Sequence, residues 1–318
     1  MSSASPAAAR AAAPDTAAGV ILRARSGFYT VRTDDGSQVE SRLRGRVKKE
    51  RQATDLAVIG DRVRLSLHGD GTGMIEEVEP RGSRFSRRQP GPRGSWKEDM
   101  LVANVDQALV VFACADPMPH LRMLDRFLVV AEHNEVRAVV VANKVELVGL
   151  DRARRTFELY EQIGYAVHYV SAREGIGVEG VADRLAGRTS VVTGPSGVGK
   201  STLLNAIQPG LRIETGEVSQ ALHKGRHTTT TAELHALAAP DGGYVADTPG
   251  LRELGLWQIP SDELAWCFPE FVRHLGDCAF NDCRHVDEPR CAIRVAVEAN
   301  QIPAPRYDSY RRLLLNEE

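Results

Sequence analysis

The segment GPSGVGKS, Gly194 to Ser201, is where residue type and spacing most clearly imply chemistry. Its pattern, G-x-x-x-x-G-K-[ST], follows the strand-like run TSVVT and opens the helical run STLLNAI. Gly194, Gly197 and Gly199, with Pro195, Ser196 and Val198 between them, let backbone N–H groups close around phosphate oxygens at a helix N-terminus. Lys200 then reaches the β- and γ-phosphates and Ser201 ligates Mg²⁺, with Thr202 next to them. A chance glycine turn does not carry all of these in this context. The segment reads as a nucleotide site.

DTPG (Asp247 to Gly250) ends the strand-like run YVADT, where a metal-directed carboxylate and a γ-phosphate-sensing glycine belong. Between the two motifs lies GRHTTTT, in which Thr229, with Thr228 and Thr230 close behind, is expected to cap the metal when triphosphate is bound. NKVE (Asn143 to Glu146) approximates the guanine-reading N-K-x-D. In that motif Asn143 contacts the base edge, Lys144 packs over the ring, and the acid accepts two hydrogen bonds from the base. Here the acid is Glu146, one methylene longer than aspartate. Ser171 and Ala172 follow the run YAVHYV, at the place of the usual backbone contact to the guanine carbonyl. Together these residues favour GTP over ATP.

A third group, Cys278, Cys283, His285 and Cys291, places three thiols and one imidazole within 14 residues. Such spacing suits a closed tetrahedral Zn²⁺ site of structural type. With only five cysteines in the chain, a reduced cytosolic protein with one metal site fits better than a disulfide scaffold. Cys114 and Cys267 lie in apolar surroundings and read as packing.

These groups need elements to hold them. The 318 residues, 42% hydrophobic and 26% charged, suffice for two or three domains. No run approaches the roughly 18 apolar residues of a membrane span. Residues 1–18 form an Ala/Ser/Pro stretch without a signal peptide's apolar core and are expected to be a disordered tail. Residues 19–82 alternate short β-rich runs with Gly/Asp turns, the texture of a five-stranded oligonucleotide-binding (OB) barrel. Residues 20–98 hold 17 Lys and Arg against 11 Asp and Glu, whereas 99–318 hold 22 against 30. The excess centres on Arg42, Arg44, Arg46, Lys48, Lys49 and Arg51; with Phe28 and Tyr29 as aromatic surface, it suits phosphates and bases as well as it suits a solvated strand.

The Gly/Pro/Arg-rich stretch 83–98 reads as an exposed linker. From 99 to 260 apolar strands alternate with amphipathic helices, the pattern of a mainly parallel, helix-covered sheet. Residues 261–318 make a small helical module around the Cys/His group. In an ordinary GTPase the phosphate loop precedes the guanine reader; here NKVE and SA come first, so the sheet is circularly permuted. The fold class is therefore α/β: a circularly permuted P-loop GTPase domain, an N-terminal OB-type barrel and a C-terminal helical zinc-binding module.

This combination resembles the ribosome small subunit-dependent GTPase A family over roughly residues 19–315. NVDQ (Asn104 to Gln107), GPSGVGKS, GRHTTT, DTPG and the Cys/His spacing carry the resemblance, and NKVE departs from the family's usual NKxD. The resemblance implies a cytoplasmic, late assembly factor of the bacterial 30S subunit. Its GTP hydrolysis to GDP would be stimulated by that subunit, its barrel would contact 16S ribosomal RNA, and it would work as a monomer. Leu251 follows Gly250, where many GTPases place a glutamine that orients the attacking water. His227 is the nearest substitute, an imidazole able to orient water or take its proton, as proposed for the matching histidine of that family. Two other classes stay open: a P-loop ATPase or kinase, against which Asn143, Lys144 and Ser171 argue, and a nucleotide-controlled RNA-binding module without significant turnover.

Overall fold

Strands β1 (Asp15–Arg25), β2 (Phe28–Thr33), β3 (Gln38–Leu43), β4 (Arg62–Leu67) and β5 (Gly73–Val78) alternate inward and outward residues. That period places Tyr29, Val31, Val39, Val63, Leu65 and Ile75 inside. In the computed structural model β1 pairs with both β2 and β4, and β3 runs parallel to β5, which pairs with β4. The five strands thus close into a barrel, as the turn spacing predicts. The structure describes residues 15–45, 47, 57–90, 96–211, 233–239, 241–247 and 259–317.

Three expectations change here. β1 begins at Asp15, inside the expected tail, because residues 15–18 pair with Leu67 to Arg64 of β4. Asp15, Ala17 and Ala18 are poor strand formers and only Thr16 favours a strand, so the partner supplies the order. Tyr29 is buried among the barrel's apolar residues, so of the two aromatics only Phe28 offers surface. The stretch expected as a linker forms a hairpin, β6 (Arg84–Pro90) against β7 (Trp96–Ala103). Buried Phe85 and Val102 face each other in its register. The Ser86 N–H donates to Asn134 Oδ1 at 2.9 Å. Dense Gly and Pro signals concealed a short pair of strands anchored from outside.

The second part of the molecule is built on β8 (Gln107–Ala113), β9 (Arg137–Asn143), β10 (Ala166–Tyr169), β11 (Thr189–Thr193), β12 (Glu233–Ala236) and β13 (Tyr244–Asp247). They lie in the order β10-β9-β8-β11-β13-β12, all parallel except the edge strand β12. All seven residues of β8 are buried, the mark of a parallel strand covered on both faces. Helix α1 (Leu121–His133) packs Leu124, Phe127, Leu128 and Ala131 inward. Helices α2 (Leu150–Ile163), α3 (Val178–Leu185) and α4 (Lys200–Ile207) complete the cover. β1 also pairs with β12, so barrel and sheet form one eleven-stranded surface.

The C-terminal residues form α5 (Pro269–Val272), α6 (Ala292–Glu298) and α7 (Ala304–Leu315) around Phe268, Phe271, Ile293, Ile302 and Tyr310. Val129 of α1 belongs to the same apolar cluster, so this module shares its core with the sheet's helical cover. Arg306 of α7 is fully buried and reaches Asp125 of α1 and Glu270 of α5, each at 2.7 Å. Tyr160 of α2 and Ser309 donate their hydroxyl hydrogens to the same Asp125.

Candidate nucleotide and metal sites

The phosphate-loop residues leave β11 at its C-terminal end, the place where open parallel sheets bind ligands. Gly194 has φ +136°, and a Cβ there would lie 2.1 Å from the Val111 carbonyl oxygen of β8. Gly199 has φ +91°, and a Cβ there would meet Asn143 Nδ2 at 2.4 Å. Both positions require glycine for backbone shape and for space. Pro195, Ser196, Gly197 and Val198 form the turn between them, with Val198 buried and Ser196 exposed. Helix α4 opens at Lys200, followed by Ser201 and Thr202 in its first turn. Lys200 Nζ donates to the carbonyl oxygens of Gly194 at 2.7 Å and Pro195 at 2.5 Å, curling back over the loop.

Asn143 ends β9 and is buried. Its Nδ2 donates to the Val198 carbonyl at 2.9 Å, and its Oδ1 accepts from the Ala172 amide at 3.0 Å. One side chain therefore joins the phosphate loop, the NKVE turn and the SA turn. The Ala172 amide expected at the base carbonyl is thereby engaged by Asn143. Lys144 adopts a left-handed backbone with φ +64° and donates to the Asp116 carbonyl. Ser171 is fully buried, its hydroxyl accepting from the Glu174 amide at 3.1 Å.

Glu146 lies in the short 3-10 turn Val145–Leu147. Its Oε2 is buried and has no hydrogen-bond partner among the described residues. Burial, and after it the charge of Glu146, pushes the nearby Cys114 thiol up to about 12. Burial does the same at Cys267, so both thiols stay protonated and inert, as expected. Asp247 ends β13 in register with Glu233 of β12. Gly250, His227, Thr229, Thr228, Thr230 and Leu251 lie outside the described residues, as do Arg46, Lys48, Lys49 and Arg51 of the basic segment. Of that segment's described arginines, Arg42 stacks on Phe28 at 4.4 Å and Arg44 pairs with Glu76.

At the other end of the chain, the ligand atoms of Cys278, Cys283, His285 and Cys291 all lie within 4.8 Å of one another. His285 Nδ1 is 3.5 Å from Cys278 Sγ and 3.4 Å from Cys291 Sγ, and those sulfurs are 4.0 Å apart. A tetrahedron with metal–sulfur bonds of about 2.3 Å has edges of roughly 3.8 Å, so the group is sized for a metal ion. The loop is held from behind: Tyr307 donates to the His285 carbonyl at 2.7 Å and Tyr310 to that of Arg284 at 2.8 Å.

The motif NVDQ is a structural lock that motif reading alone left without a role. Asn104, at φ +54°, donates to the Gly60 carbonyl of the barrel at 3.0 Å and accepts from the Gly82 amide at 2.9 Å. Asp106 accepts from the Thr189 amide at 2.8 Å, and Gln107 donates to Ser190 Oγ at 2.9 Å. The left-handed backbone favoured by asparagine was the available signal.

Comparison with known proteins settles the family. A model described as the RsgA N-terminal domain matches residues 18–75, and one described as RsgA GTPase matches residues 78–257. The chain belongs to the RsgA GTPase family. It is 47% identical over 298 residues to the small ribosomal subunit biogenesis GTPase RsgA of Gemmatimonas aurantiaca, covering 93% of this chain and 95% of that protein. It is 44% identical to the RsgA of Moorella thermoacetica over 93% of this chain and 96% of that one. Among solved structures, YjeQ from Thermotoga maritima matches with a TM-score of 0.77 and 35% identity, over 95% of this chain and 98% of that one. YloQ, described as a circularly permuted GTPase, matches with a TM-score of 0.73 and 30% identity, over 98% of each chain. Like YloQ, this RsgA-family protein is a circularly permuted GTPase, with the strand that ends at Asn143 ahead of the phosphate loop.

Proposed function

We propose that this RsgA-family GTPase serves the biogenesis of the 30S ribosomal subunit as a late assembly factor, hydrolysing GTP when that subunit stimulates it. The carrying observation is the junction at Asn143, which ties the phosphate loop to the base-reading turns, together with a buried Glu146 carboxylate oxygen that has no partner among the described residues. A buried acceptor without a donor fits a guanine ring, whose imino and amino groups are two adjacent donors. Lys144 packs over that ring and Ser171 holds the SA turn. Gly194, Pro195, Ser196, Gly197, Val198 and Gly199 wrap the phosphates, and Lys200 moves from its own loop's carbonyls onto the β- and γ-oxygens.

Ser201 and Thr229 would hold Mg²⁺, with Asp247 behind them and Gly250 at the γ-phosphate; the ion, when bound, offsets the charge developing on the phosphates. His227 orients the attacking water. Cys278, Cys283, His285 and Cys291 fit Zn²⁺, since a soft thiolate-rich set of this size excludes the oxygen-seeking cations. The protein acts in the cytoplasm as a monomer, with the barrel on 16S ribosomal RNA. The reading is tested by GTP turnover with added small subunits, large subunits and free RNA. Acceleration by small subunits alone, lost in His227→Ala with GTP binding retained, supports it. Equal turnover in all arms, or a preference for ATP, refutes it.

A further inference from the structure

The barrel and the nucleotide-binding sheet become one sheet at β12. Arg23 of β1 pairs in register with Glu233 of β12, and Glu233 pairs in register with Asp247 of β13. One transverse row therefore holds a barrel residue, an edge-strand residue and the aspartate of DTPG. Neighbouring strands lie about 4.8 Å apart, so the backbones of Arg23 and Asp247 are separated by roughly 10 Å.

Side chains reinforce the first half of the row. The Arg23 guanidinium donates to the Glu233 carboxylate, and His235 Nδ1 lies 3.8 Å from the same carboxylate. Two other barrel arginines pair with acids of the barrel itself: Arg44 with Glu76, and Arg62 with Asp34 and Glu79. Arg23 instead reaches across to the edge strand. Asn104 holds the barrel at a second point, through Gly60 and Gly82, so a change in barrel seating is focused on the β1–β12 contact.

We propose that Arg23 is a positioning residue for GTP hydrolysis: by holding Glu233, it transmits the barrel's seating on the small subunit to the strand that ends at Asp247. The inference rests on the subunit-stimulated reading above. An exposed ion pair of this kind adds little to stability, so exchanging its charges leaves the fold intact.

The test compares wild type, Arg23→Glu, Glu233→Arg and the double exchange in GTP hydrolysis with and without small subunits. KM for GTP and affinity for the subunit are measured in parallel. Each single reversal is expected to cut subunit-stimulated kcat by about fivefold or more, the usual floor for coupling between sites, with KM nearly unchanged. The double exchange should restore most of the stimulation, which loss of an RNA contact by Arg23 would not allow. Single variants stimulated like the wild type, or a double exchange as impaired as Arg23→Glu, would overturn the inference alone. A wild type that small subunits do not stimulate would remove the underlying reading and the inference with it.

Discussion

At the residue scale, two neighbours in one turn carry separable jobs. Glu146 carries a buried oxygen with no partner among the described residues, which we assign to the base, whereas Asn143 satisfies two loops at once. Replacing Glu146 by Ala should leave the guanine donors unpaired on binding, eroding GTP-over-ATP preference by about 10- to 100-fold. Glu146→Asp should retain the preference, since the acceptor pair survives. Competition binding with both nucleotides measures this. Asn143→Ala should act differently, because it strands the Val198 carbonyl and the Ala172 amide in the protein itself. It should destabilise the protein by about 1–3 kcal/mol and weaken all nucleotides alike. Denaturant unfolding together with the same competition assay separates the two effects.

At the element scale, the phosphate loop and the Cys/His loop are shaped by backbone geometry. Gly199→Ala introduces a Cβ in a left-handed backbone and 2.4 Å from Asn143 Nδ2. The loop must move away from Asn143, so nucleotide affinity should fall at least about tenfold while the secondary structure, read by circular dichroism, is preserved. In the Cys/His loop, burial alone would raise the Glu288 carboxyl, but the amides of Arg284, Val286 and Asp287 outweigh it and hold the carboxyl down to about 2. A folded-state value below the unfolded value of about 4.3 stabilises above that pH and is lost as pH falls toward 2. Glu288→Gln should therefore flatten the pH dependence of thermal unfolding in that window. An unchanged acid profile would show that these amides do not govern the loop.

At the scale of the whole molecule, three bodies are joined by polar contacts placed at their junctions. Asn104 fastens barrel to sheet, and the buried Arg306 fastens the C-terminal module to α1 through Asp125. Arg306 also stacks over Phe268 at 4.6 Å. Arg306→Ala leaves two buried carboxylates without their cation, a loss of about 3–5 kcal/mol by comparison with other broken buried pairs. Urea unfolding should show that drop, with an earlier transition in the C-terminal module. Replacing Arg306, Asp125 and Glu270 together by apolar residues of similar volume should recover much of it, because a buried pair's desolvation offsets its attraction.

The nucleotide and metal groups were legible in the sequence because each is encoded locally. Eight consecutive residues set the phosphate loop, and 14 hold the whole Cys/His group, so chain connectivity alone brings the atoms near. The strands β8 and β9 announce themselves by apolar runs and β11 by its β-branched residues, and the order of motifs implies the permutation. What only the tertiary structure decided depends on pairings that no local period encodes. Asn143 reaches Val198 across 55 residues, and Arg306 reaches Asp125 across 181. Asp15 to Ala18 are ordered by β4, and the β6–β7 hairpin, masked by the Gly and Pro around it, is anchored from outside through Asn134. Tyr29 faces inward because the register of β2, not its residue type, assigns its side. The row from Arg23 to Asp247 has the same origin: hydrogen-bond register between strands far apart in sequence fixes which residues share a line, and only folding sets that register.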